Sequence, residues 1–394
     1  MKEELKIKFL SDLIDFKNGK SIKPSSGDIP IYGGNGILGY SEKYNYNNIL
    51  IIGRVGAYCG SIHYHKEKCW VSDNAIAGEV KSDYSIDYLY YLIKSLNLND
   101  RQVGSSQPLL TQGVLNNISV KIYESSQTQQ SIAAVLSALD KKIALNKQIN
   151  ARLEDMAKAL YDYWFVQFDF PDANGKPYKS SGGEMVFDET LKREIPKGWE
   201  VKSLGDLAEI VGGSTPSTVD SDNFCSNGTA WITPYDLSKN QDNKFISHGE
   251  IDVSEKGIKN ASLKKYPAGT VLMSSRAPIG YMAIARNEVT TNQGFKSFIP
   301  NKGFSKEFVF YAVKNSLKSI MQSASGSTFK EVSAATLHSI QLIFPKHELV
   351  KKYTERSKKI FKVQDNLEKQ NYHLTQLRNF LLPVLMNGQV SISM

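Results

Sequence analysis

The chain contains one domain twice, and this internal repeat restricts its possible folds more than any other feature. Matching residues recur at a constant offset of 222, as in Arg54 and Arg276, Gly104 and Gly326, Ser105 and Ser327, Ile118 and Ile340, and Leu145 and Leu367. Segments 85–94 and 305–314 align at an offset of 220, and the copies begin at 10–13 and 204–207, an offset of 194. The second copy therefore carries about 28 extra residues near its beginning. A period this long indicates a duplicated domain rather than a solenoid.

Each copy combines a globular region with a long helix. The globular regions contain short strand-like runs at 48–52 and 270–273, separated by turn residues, and one amphipathic helix each, at about 85–97 and 305–319. The long helices are predicted from apolar residues in alternating steps of three and four, the coiled-coil period. The first stripe is Ile132, Leu136, Leu139, Ile143, Leu153, Met156, Leu160 and Trp164, and the second is Val350, Tyr353, Ile360, Val363, Leu367, Leu374, Leu377, Leu381 and Leu385.

A long helix with a narrow apolar stripe is not stable alone in water, so each stripe must be covered. The other long helix is the obvious cover, and the segment between the copies, 167–198, is long enough to let the two lie antiparallel. This segment is rich in Gly, Pro and Ser, which predicts a loop rather than a packed element. Asn146 and Asn150 interrupt the first stripe, where they either fix the register of the helix pair or face solvent.

The predicted fold class is α/β (α+β), with two tandem globular domains separated by two long antiparallel helices that form a coiled coil with pseudo-two-fold symmetry. The predicted boundaries are 1–122 for the first domain, 123–166 for the central helix, 167–198 for the connector loop, 199–344 for the second domain, and 345–394 for the distal helix and tail. A two-fold object on DNA reads two half-sites at a fixed distance. Because the two domains differ in sequence, the half-sites should differ too.

Composition narrows the class of partner and the compartment. The net charge of +8 and the pI near 9.0 favour a polyanionic partner. Three cysteines, an odd number, argue against a disulfide framework and fit a reducing cytoplasm. No apolar run approaches the roughly 20 residues that span a bilayer, and the N-terminus lacks a signal-peptide core. We therefore expect a cytoplasmic protein with no membrane partner.

Several local motifs, in this duplicated order, resemble the specificity subunits of type I restriction–modification enzymes. Segment 29–40 (IPIYGGNGILGY) is similar to the opening loop of many of their target recognition domains. Segments 212–217 (GGSTPS), 231–237 (WITPYDL) and 275–280 (SRAPIG) are similar to the other common version. The connector motifs 177–183 (PYKSSGG) and 195–199 (IPKGW) also resemble family members. The resemblance extends over nearly the whole chain.

This resemblance implies a subunit without a catalytic centre that reads an asymmetric bipartite site in double-stranded DNA. It implies that two methyltransferase subunits bind along the helices, with restriction (translocase and nuclease) subunits outside them. The complex would methylate adenine and cleave unmodified DNA remotely. The chain itself is expected to bind no cofactor or metal. S-adenosylmethionine, ATP and Mg are implied only for the partner subunits.

Loop residues suited to DNA contact occur at three places in each domain. Arg and Lys can read guanine, Asn and Gln can read adenine, and Gly-rich loops let backbone amides approach phosphate. In the first domain the candidates are Gly33, Gly34, Asn35, Arg54, Gly56, Tyr58, Ser105, Ser106 and Gln107. In the second they are Ser214, Thr215, Ser217, Arg276, Ser325, Ser327, Thr328 and Lys330. Residues shared by both domains should serve the fold or phosphate, and residues that differ should serve base choice.

Structural roles compete with each of these assignments. Gly33, Gly34 and Gly56 could serve only to permit tight turns. Arg54 and Arg276 occupy equivalent places after a strand, which also fits a shared structural ion pair. Trp164 and its tyrosine neighbours could stack on bases, but their helical spacing favours a core or a partner surface.

No constellation typical of catalysis is present in the sequence. There is no Gly-x-x-x-x-Gly-Lys loop for nucleotide phosphates, and no Asn-Pro-Pro-aromatic motif of adenine methyltransferases. Asp242-Asn243-Lys244 has a nuclease-like spacing that arises easily by chance. Cys59, His63, His65 and Cys69 fit no zinc pattern, because the second copy has nothing comparable and alternate histidines share one strand face.

Two other classes of function stay open from the sequence. One is a coiled-coil scaffold with no role at DNA, which the basic charge and the Gly/Asn/Gln/Arg-rich loops fit poorly. The other is a stand-alone nuclease or methyltransferase, which would require activity from the isolated chain with a divalent metal or S-adenosylmethionine.

Overall fold

The computed structural model describes residues 4–101, 109–276, 278–325 and 330–390. It divides into two compact units, Met1–Ala144 with Asn371–Met394, and Leu145–Gln370. The unit boundary cuts both long helices, so each unit holds one globular region and a segment of each helix. The mixed α/β fold with two domains and long helices agrees with the predicted fold class.

The first unit is built on a six-stranded sheet in the order β2-β7-β5-β6-β3-β4, with β1 and β8 forming a separate antiparallel pair. Its strands are β1 (Lys6–Phe9), β2 (Ile14–Asn18), β3 (Ile29–Gly33), β4 (Gly36–Ser41), β5 (Tyr46–Gly53), β6 (Ile62–Val71), β7 (Ala75–Val80) and β8 (Ser119–Ile122). Its helices are α1 (Leu10–Leu13), α2 (Ile86–Lys94), α3 (Gln112–Asn116) and the first part of α4 (Ser126–Tyr161). Only β3 and β6 pair in parallel within this sheet.

The second unit contains a five-stranded sheet, β12-β20-β17-β18-β15, and a four-stranded sheet, β13-β16-β14-β19. Its strands are β9 (Met185–Asp188), β10 (Arg193–Pro196), β11 (Glu200–Ser203), β12 (Glu209–Gly212), β13 (Phe224–Cys225), β14 (Thr229–Ile232), β15 (Phe245–Ile246), β16 (Ile251–Val253), β17 (Val271–Met273), β18 (Met282–Ala285), β19 (Val289–Thr291), β20 (Lys296–Ile299) and β21 (Gln341–Phe344). Its helices are α5 (Leu204–Leu207), α6 (Pro234–Lys239), α7 (Glu255–Asn260), α8 (Lys306–Gln322), α9 (Ala334–Ser339) and most of α10 (His347–Met386).

The two globular regions repeat one pattern of strand pairing. In the first, Phe9 pairs with Ser119 across β1 and β8, and in the second, Ser203 pairs with Gln341 across β11 and β21. The order β2-β7-β5-β6 in the first sheet corresponds to β12-β20-β17-β18 in the second. Serines cap α2 and α8 at matching positions, since Ser85 and Ser305 each accept a hydrogen bond from the backbone three residues on. The duplication read from the sequence therefore extends to strand register and helix capping.

Each globular region shares its core with the helix segments of its own unit. In the first unit, Ile132 and Leu136 of α4 and Leu385 of α10 lie in the cluster that contains the sheet residues Leu50 and Ile76. In the second unit, aromatic residues of α4, α8 and α10 form one cluster, which contains Tyr161, Phe308, Tyr311, Tyr353 and Phe361. The helix segments are thus stabilised by the domains as well as by each other.

Within each unit the α4 and α10 segments run antiparallel. In the first, Arg378 bonds Asp140 at 2.7 Å, and Leu385, further along α10, packs with residues earlier in α4. In the second, Asn146 of α4 donates to Gln370 of α10 at 3.3 Å and Asn150 donates to Glu368 at 3.4 Å. Asn146 is fully buried, so it lies in the helix seam and does not face solvent.

The predicted apolar stripes are only partly covered. Met156, Val363 and Leu377 were assigned to the seam, but their side chains are exposed. The positions between the helices are taken in part by polar residues instead, including the buried Gln364 and Glu368. The step of three and four residues identified the helices correctly but could not separate residues that face the other helix from residues that face outward.

The segment between the two copies is not the unpacked loop that its composition predicts. Its later part forms a hairpin of β9 and β10. Its earlier part packs aromatic rings, because Phe170 stacks on Tyr178 at 4.6 Å and on Trp199 at 5.1 Å between ring centroids. A few aromatic residues inside a Gly- and Pro-rich segment are enough to order it.

Two equivalent glycines generate a prediction about the duplicated fold. A Cβ added at Gly19 would lie 2.0 Å from the Ser72 carbonyl oxygen, and one at Gly213 would lie 2.1 Å from that of Asn292. Gly19→Ala and Gly213→Ala should each lower the free energy of unfolding by roughly 1–3 kcal/mol, since backbone must shift to admit the methyl group. Urea unfolding measures the effect. Gly113→Ala, whose nearest neighbour would be at 3.8 Å, is the matched control and should show no loss; equal stability of all three variants would contradict the prediction.

Candidate nucleic-acid interface

In the first domain, the turn after β3 lies against the loop after β5. Gly34 is buried, and a Cβ added there would lie 3.2 Å from the Gly53 Cα and 3.5 Å from the Tyr58 Cβ. The Gly34 carbonyl accepts hydrogen bonds from Ser61 Oγ and from His63 Nε2, the latter at 3.1 Å. The two glycine-containing loops therefore form one surface.

The candidates differ in how accessible they are. Asn35 and Tyr58 are exposed, and Gly56 opens an exposed turn at φ +72° with no atom within 4 Å of an added Cβ. Gly33 and Gly34 are buried, and a Cβ at Gly33 would meet Leu38 at 2.6 Å. Among the first-domain candidates in the described ranges, side chains able to reach DNA are therefore those of Asn35, Arg54 and Tyr58.

In the second domain, four loops meet beside the end of β17. The Ser214 N–H donates to Thr291, and Thr215 hydrogen-bonds the side chain of Gln293. The Ser275 N–H donates to Gly294 at 2.7 Å, and the Val332 N–H donates to Ser275 at 3.0 Å. The segments near 214 and 275 therefore both contact the segment 291–294, and the segment near 331 contacts the one near 275.

The remaining second-domain candidates sit around this junction. Arg276 is half-buried and forms a β-bridge with Glu331, and Ser325 pairs with the same glutamate through backbone hydrogen bonds of 2.9 and 3.2 Å. Lys330 is exposed beside them. Ser217 is exposed and its carbonyl accepts from Asn223 at 2.9 Å. Ser105, Ser106, Gln107, Ser327 and Thr328 lie outside the described residues, and all DNA contacts stay predictions.

Arg54 and Arg276 are not structurally equivalent, although they align in sequence. The Arg54 N–H donates to Asn74 and its carbonyl accepts from Leu110; the residue that makes these two bonds in the second domain is Ser275. The β-bridge of Arg276 matches that of Val55. The two arginines are thus one position apart, and consecutive residues in extended chain point to opposite sides.

The idea of a shared structural ion pair also lacks support at these arginines. Neither Arg54 nor Arg276 forms a salt bridge with any residue in the described ranges. The Arg54 guanidinium instead donates to the carbonyl oxygen of Asp73 at 3.4 Å. Within the described ranges, neither guanidinium group is neutralised by a carboxylate.

Sequence reasoning missed Gln293, which is exposed at the centre of the second-domain junction. The run Thr291-Asn292-Gln293-Gly294 holds two amides next to a glycine, which is the pattern used to select the other loops. The corresponding residues in the first domain are Asp73 and Asn74, and Asn74 accepts the Arg54 N–H. These segments belong to the candidate interface on the same chemical grounds.

The possible metal or nuclease residues have structural surroundings. His63 contacts Gly34, and His65 lies 3.2 Å from the Tyr32 hydroxyl. Cys59 and Cys69 are buried in different apolar clusters. Asp242 is paired with Lys147 at 2.8 Å, whereas Lys244 is buried and pairs with Glu154 at 2.6 Å. In the parts of the chain that the structure describes, no three His, Cys, Asp or Glu side chains are grouped to hold a metal ion.

The Lys244–Glu154 pair has a strong electrostatic character. Burial would raise the Glu154 pKa, but Lys244 and Lys314 outweigh burial and lower it to about 2. Burial lowers the pKa of Lys244 to about 8, against the opposite effect of Glu154. Both groups are therefore charged at neutral pH, and the lysine holds its charge only because its partners compensate for lost water.

Comparison with known proteins places the chain in a family. Residues 2–155 and 196–381 match the model of the type I restriction modification DNA specificity domain, and the chain belongs to this family. It is 40% identical over 196 residues to the type I restriction enzyme MjaIX specificity subunit of Methanocaldococcus jannaschii, an alignment that covers 49% of this chain and only 45% of that protein. It is 28% identical over 334 residues to the HindI specificity subunit of Haemophilus influenzae, covering 72% of this chain and 71% of that protein.

A solved structure supports the same fold. The S subunit of a type I restriction–modification system from M. genitalium aligns with a TM-score of 0.62 over 100% of this chain and 97% of that chain, at 16% identity. Separately, none of the helices within the described ranges combines the length and the apolar content needed to cross a membrane.

The buried ion pair predicts an acid-dependent stability. Glu154→Gln leaves Lys244 buried without its carboxylate and should lower the free energy of unfolding at pH 7 by about 3 kcal/mol. A carboxyl group whose pKa falls from 4.5 to about 2 on folding stabilises the folded state above pH 4.5, and this contribution disappears as the pH falls toward 2. The difference between the parent and the variant should shrink over that range in urea unfolding.

Glu250→Gln is the control, because Glu250 pairs with Lys239 in an exposed salt bridge and should change little. A constant difference between Glu154→Gln and the parent from pH 7 to pH 3 would show that the stabilisation does not come from the charged carboxylate.

Proposed function

We propose that this chain is the DNA-reading specificity subunit of a type I restriction–modification enzyme. In this role it reads an asymmetric bipartite site in double-stranded DNA and holds two methyltransferase subunits and the restriction subunits in place. It contributes no catalytic group. S-adenosylmethionine, ATP and Mg belong to the partner subunits in this proposal.

The observation that carries the proposal is the duplicated domain with non-identical loops. The family match falls in two segments, each of which includes one globular region and most of its long helix. The order of four central strands is shared by both regions, while the loops at the candidate interface differ, with Asn35 and Tyr58 in one and Gln293 and Arg276 in the other. A shared framework with different loops is what reading two different half-sites requires.

The chemistry of the exposed loops also supports DNA as the ligand. Arginine makes bidentate bonds to guanine, and asparagine and glutamine make them to adenine. Arg276, Gln293 and Lys330 are grouped at one junction, and Arg276 and Lys330 are not neutralised by a described acidic side chain. The net charge of +8 also favours DNA binding, since contacts with phosphate supply much of the affinity for DNA.

A groove on the helices of the second unit supports partner binding. Met156, Leu160, Tyr163 and Ile360 line an open, mainly apolar groove of about 750 Å³, with Arg356 at its side. Met156 is 59% exposed although it lies in the predicted stripe. Exposed apolar side chains that are grouped in this way are typical of protein–protein contacts.

The test of the function is genetic and biochemical. The chain is co-expressed with its methyltransferase subunit, the complex is purified, and adenine methylation of the host DNA is mapped with and without the gene for this chain. We expect a stable complex and one asymmetric two-part motif whose methylation disappears on deletion. A complex that forms without any lost motif would favour a scaffold with no DNA role, and methylation by the isolated chain would favour a stand-alone enzyme.

Arg276→Ala should weaken binding to the mapped DNA by about 10-fold or more, because one good bidentate contact contributes roughly 1–3 kcal/mol. The melting temperature should not change, since Arg276 forms no salt bridge with a described residue. Lys192→Ala removes an equal charge from the connector hairpin, where Lys192 pairs with Glu189, and serves as the control. Fluorescence anisotropy at fixed salt measures both; equal affinity of Arg276→Ala and the parent would remove Arg276 from the interface.

Met156→Glu should abolish co-purification of the methyltransferase subunit, because a charge placed in an apolar contact must be desolvated. The exposed position of Met156 predicts an unchanged melting temperature. Val219→Glu adds the same charge at a side chain that is 96% exposed outside the groove and should leave the complex intact. Normal complex formation by Met156→Glu would show that the methyltransferase binds elsewhere.

A further inference from the structure

The second globular domain is attached to both long helices by one buried polar cluster. Lys244 lies between β12 and β17, the interval in which the second copy carries about 28 extra residues, immediately before β15, and its side chain is 4% exposed. Its ammonium donates to Glu154 of α4 at 2.6 Å, to Gln364 of α10 at 2.6 Å and to the Tyr311 hydroxyl at 3.0 Å. All three N–H donors of the ammonium are therefore used, and two of the acceptors lie on the long helices α4 and α10.

Glu368 of α10 completes the attachment from the other side. Its carboxylate accepts the backbone N–H groups of Lys244 at 2.7 Å and Phe245 at 3.1 Å, so it binds the start of the edge strand β15. Arg286, which follows β18 in the same sheet, donates to Glu368 at 2.6 Å and to Asp365 at 2.5 Å. The sheet of the domain is thus bound to α10 at two adjacent strands.

Apolar packing beside this cluster is incomplete. A cleft of about 480 Å³ opens next to Lys244, and it is lined by residues of α4, of α8 and of the segment before β15. Hydrogen bonds with fixed direction therefore restrain the domain on this side in addition to the aromatic contacts of Phe245 and Tyr311 with Phe361. In the first unit, the acid bound by the equivalent tyrosine, Tyr91, is balanced by Arg378 of α10 and not by a lysine of the domain.

We propose that Lys244 and Glu368 fix the angle of the second recognition domain on the helices and thereby set the spacing between the two half-sites that the chain accepts. The assignment of spacing rests on the proposed function, whereas the assignment of the angle does not. Lys244 is a positioning residue in this proposal: it touches no DNA and acts through the orientation of the loops around Arg276.

Burying charged groups between the domain and the helices costs desolvation free energy, so their presence there needs a physical reason. Buried ion pairs contribute little net stability compared with apolar residues of the same volume, but they accept only a narrow range of geometries. An apolar contact between a sheet edge and a helix would allow small rotations. A domain that must place its loops on DNA at a fixed distance from another half-site gains from the restraint.

The first arm of the test measures the angle without DNA. Spin labels are attached to the full chain through Lys264→Cys in the domain and Lys362→Cys on α10, with Cys225→Ser removing the exposed native thiol. Electron–electron double resonance should give a narrow distance distribution for this parent and one at least about twofold wider for Lys244→Met. Lys239→Met, which removes an exposed salt bridge of the same domain, is the matched control and should stay narrow.

The second arm measures spacing on the mapped target. The parent complex should bind the native spacing at least about tenfold more tightly than sites lengthened or shortened by one base pair. Lys244→Met should reduce this ratio to about threefold or less, and Lys239→Met should leave it unchanged. A merely structural defect would lower affinity for all spacings equally and would not change the ratio.

Each result has one meaning. An unchanged distance distribution in Lys244→Met, or a wider one with an unchanged spacing ratio, would overturn the proposal. If Lys244→Met does not fold, Glu368→Gln keeps the size of the side chain and is judged by the same two measurements. A parent that recognises no bipartite DNA would refute the proposed function, while the first arm would still decide whether the cluster fixes the angle.

Discussion

The constraint on which the structure depends is that neither long helix can bury its apolar stripe by itself. α4 and α10 cover each other only in part, because polar side chains such as Asn146 and Gln364 occupy the seam. The missing apolar contact is supplied by the globular domains. In the second unit, Phe308 and Tyr311 of α8 pack on Tyr161 of α4, and Tyr311 also packs on Phe361 of α10. Helix segment and domain therefore form one core, and neither is expected to be stable without the other.

Most of the fold could be predicted from the sequence because it is repeated. Offsets of 194 and 222 residues carry the pair Phe9–Ser119 directly onto Ser203–Gln341, so even a register was contained in the spacing. The spacing did not, however, give the correct structural equivalents of Arg54 and Arg276. In the structure, Gly53 corresponds to Ser274, since each pairs with the matching residue of the neighbouring strand, Ala75 or Phe295. The structural offset at this strand is 221 (274 − 53), not the 222 that aligns the two arginines, and this difference of one residue places the arginines on opposite sides of the chain.

The candidate interface was predictable by residue type but not by proximity. The sequence selects Arg, Asn and Gln next to glycine as candidates, and Gln293 has the same pattern in a segment that the sequence analysis does not select. The role of Lys244 could not be predicted from the residues next to it in the sequence. Its triplet Asp242-Asn243-Lys244 has a nuclease-like spacing that arises easily by chance, whereas its partners Glu154 and Gln364 lie 90 and 120 residues away. A buried lysine is rare, and only the tertiary structure shows what neutralises it.

The two domains also show how a duplicated attachment can diverge while keeping its chemistry. In the first unit, the Tyr91 hydroxyl donates to Asp140 of α4 at 2.8 Å, and the charge is balanced by Arg378 of α10. In the second, Tyr311 at the equivalent position donates to Glu154 of α4, and the charge is balanced by Lys244 and Lys314. Burial raises the pKa of both tyrosines, so each is a neutral donor to a carboxylate. The tyrosine and the acid are common to both copies because they join domain to helix. The cation comes from a long helix in one copy and from the domain in the other, so among the described residues the second domain carries its own charged link to both long helices.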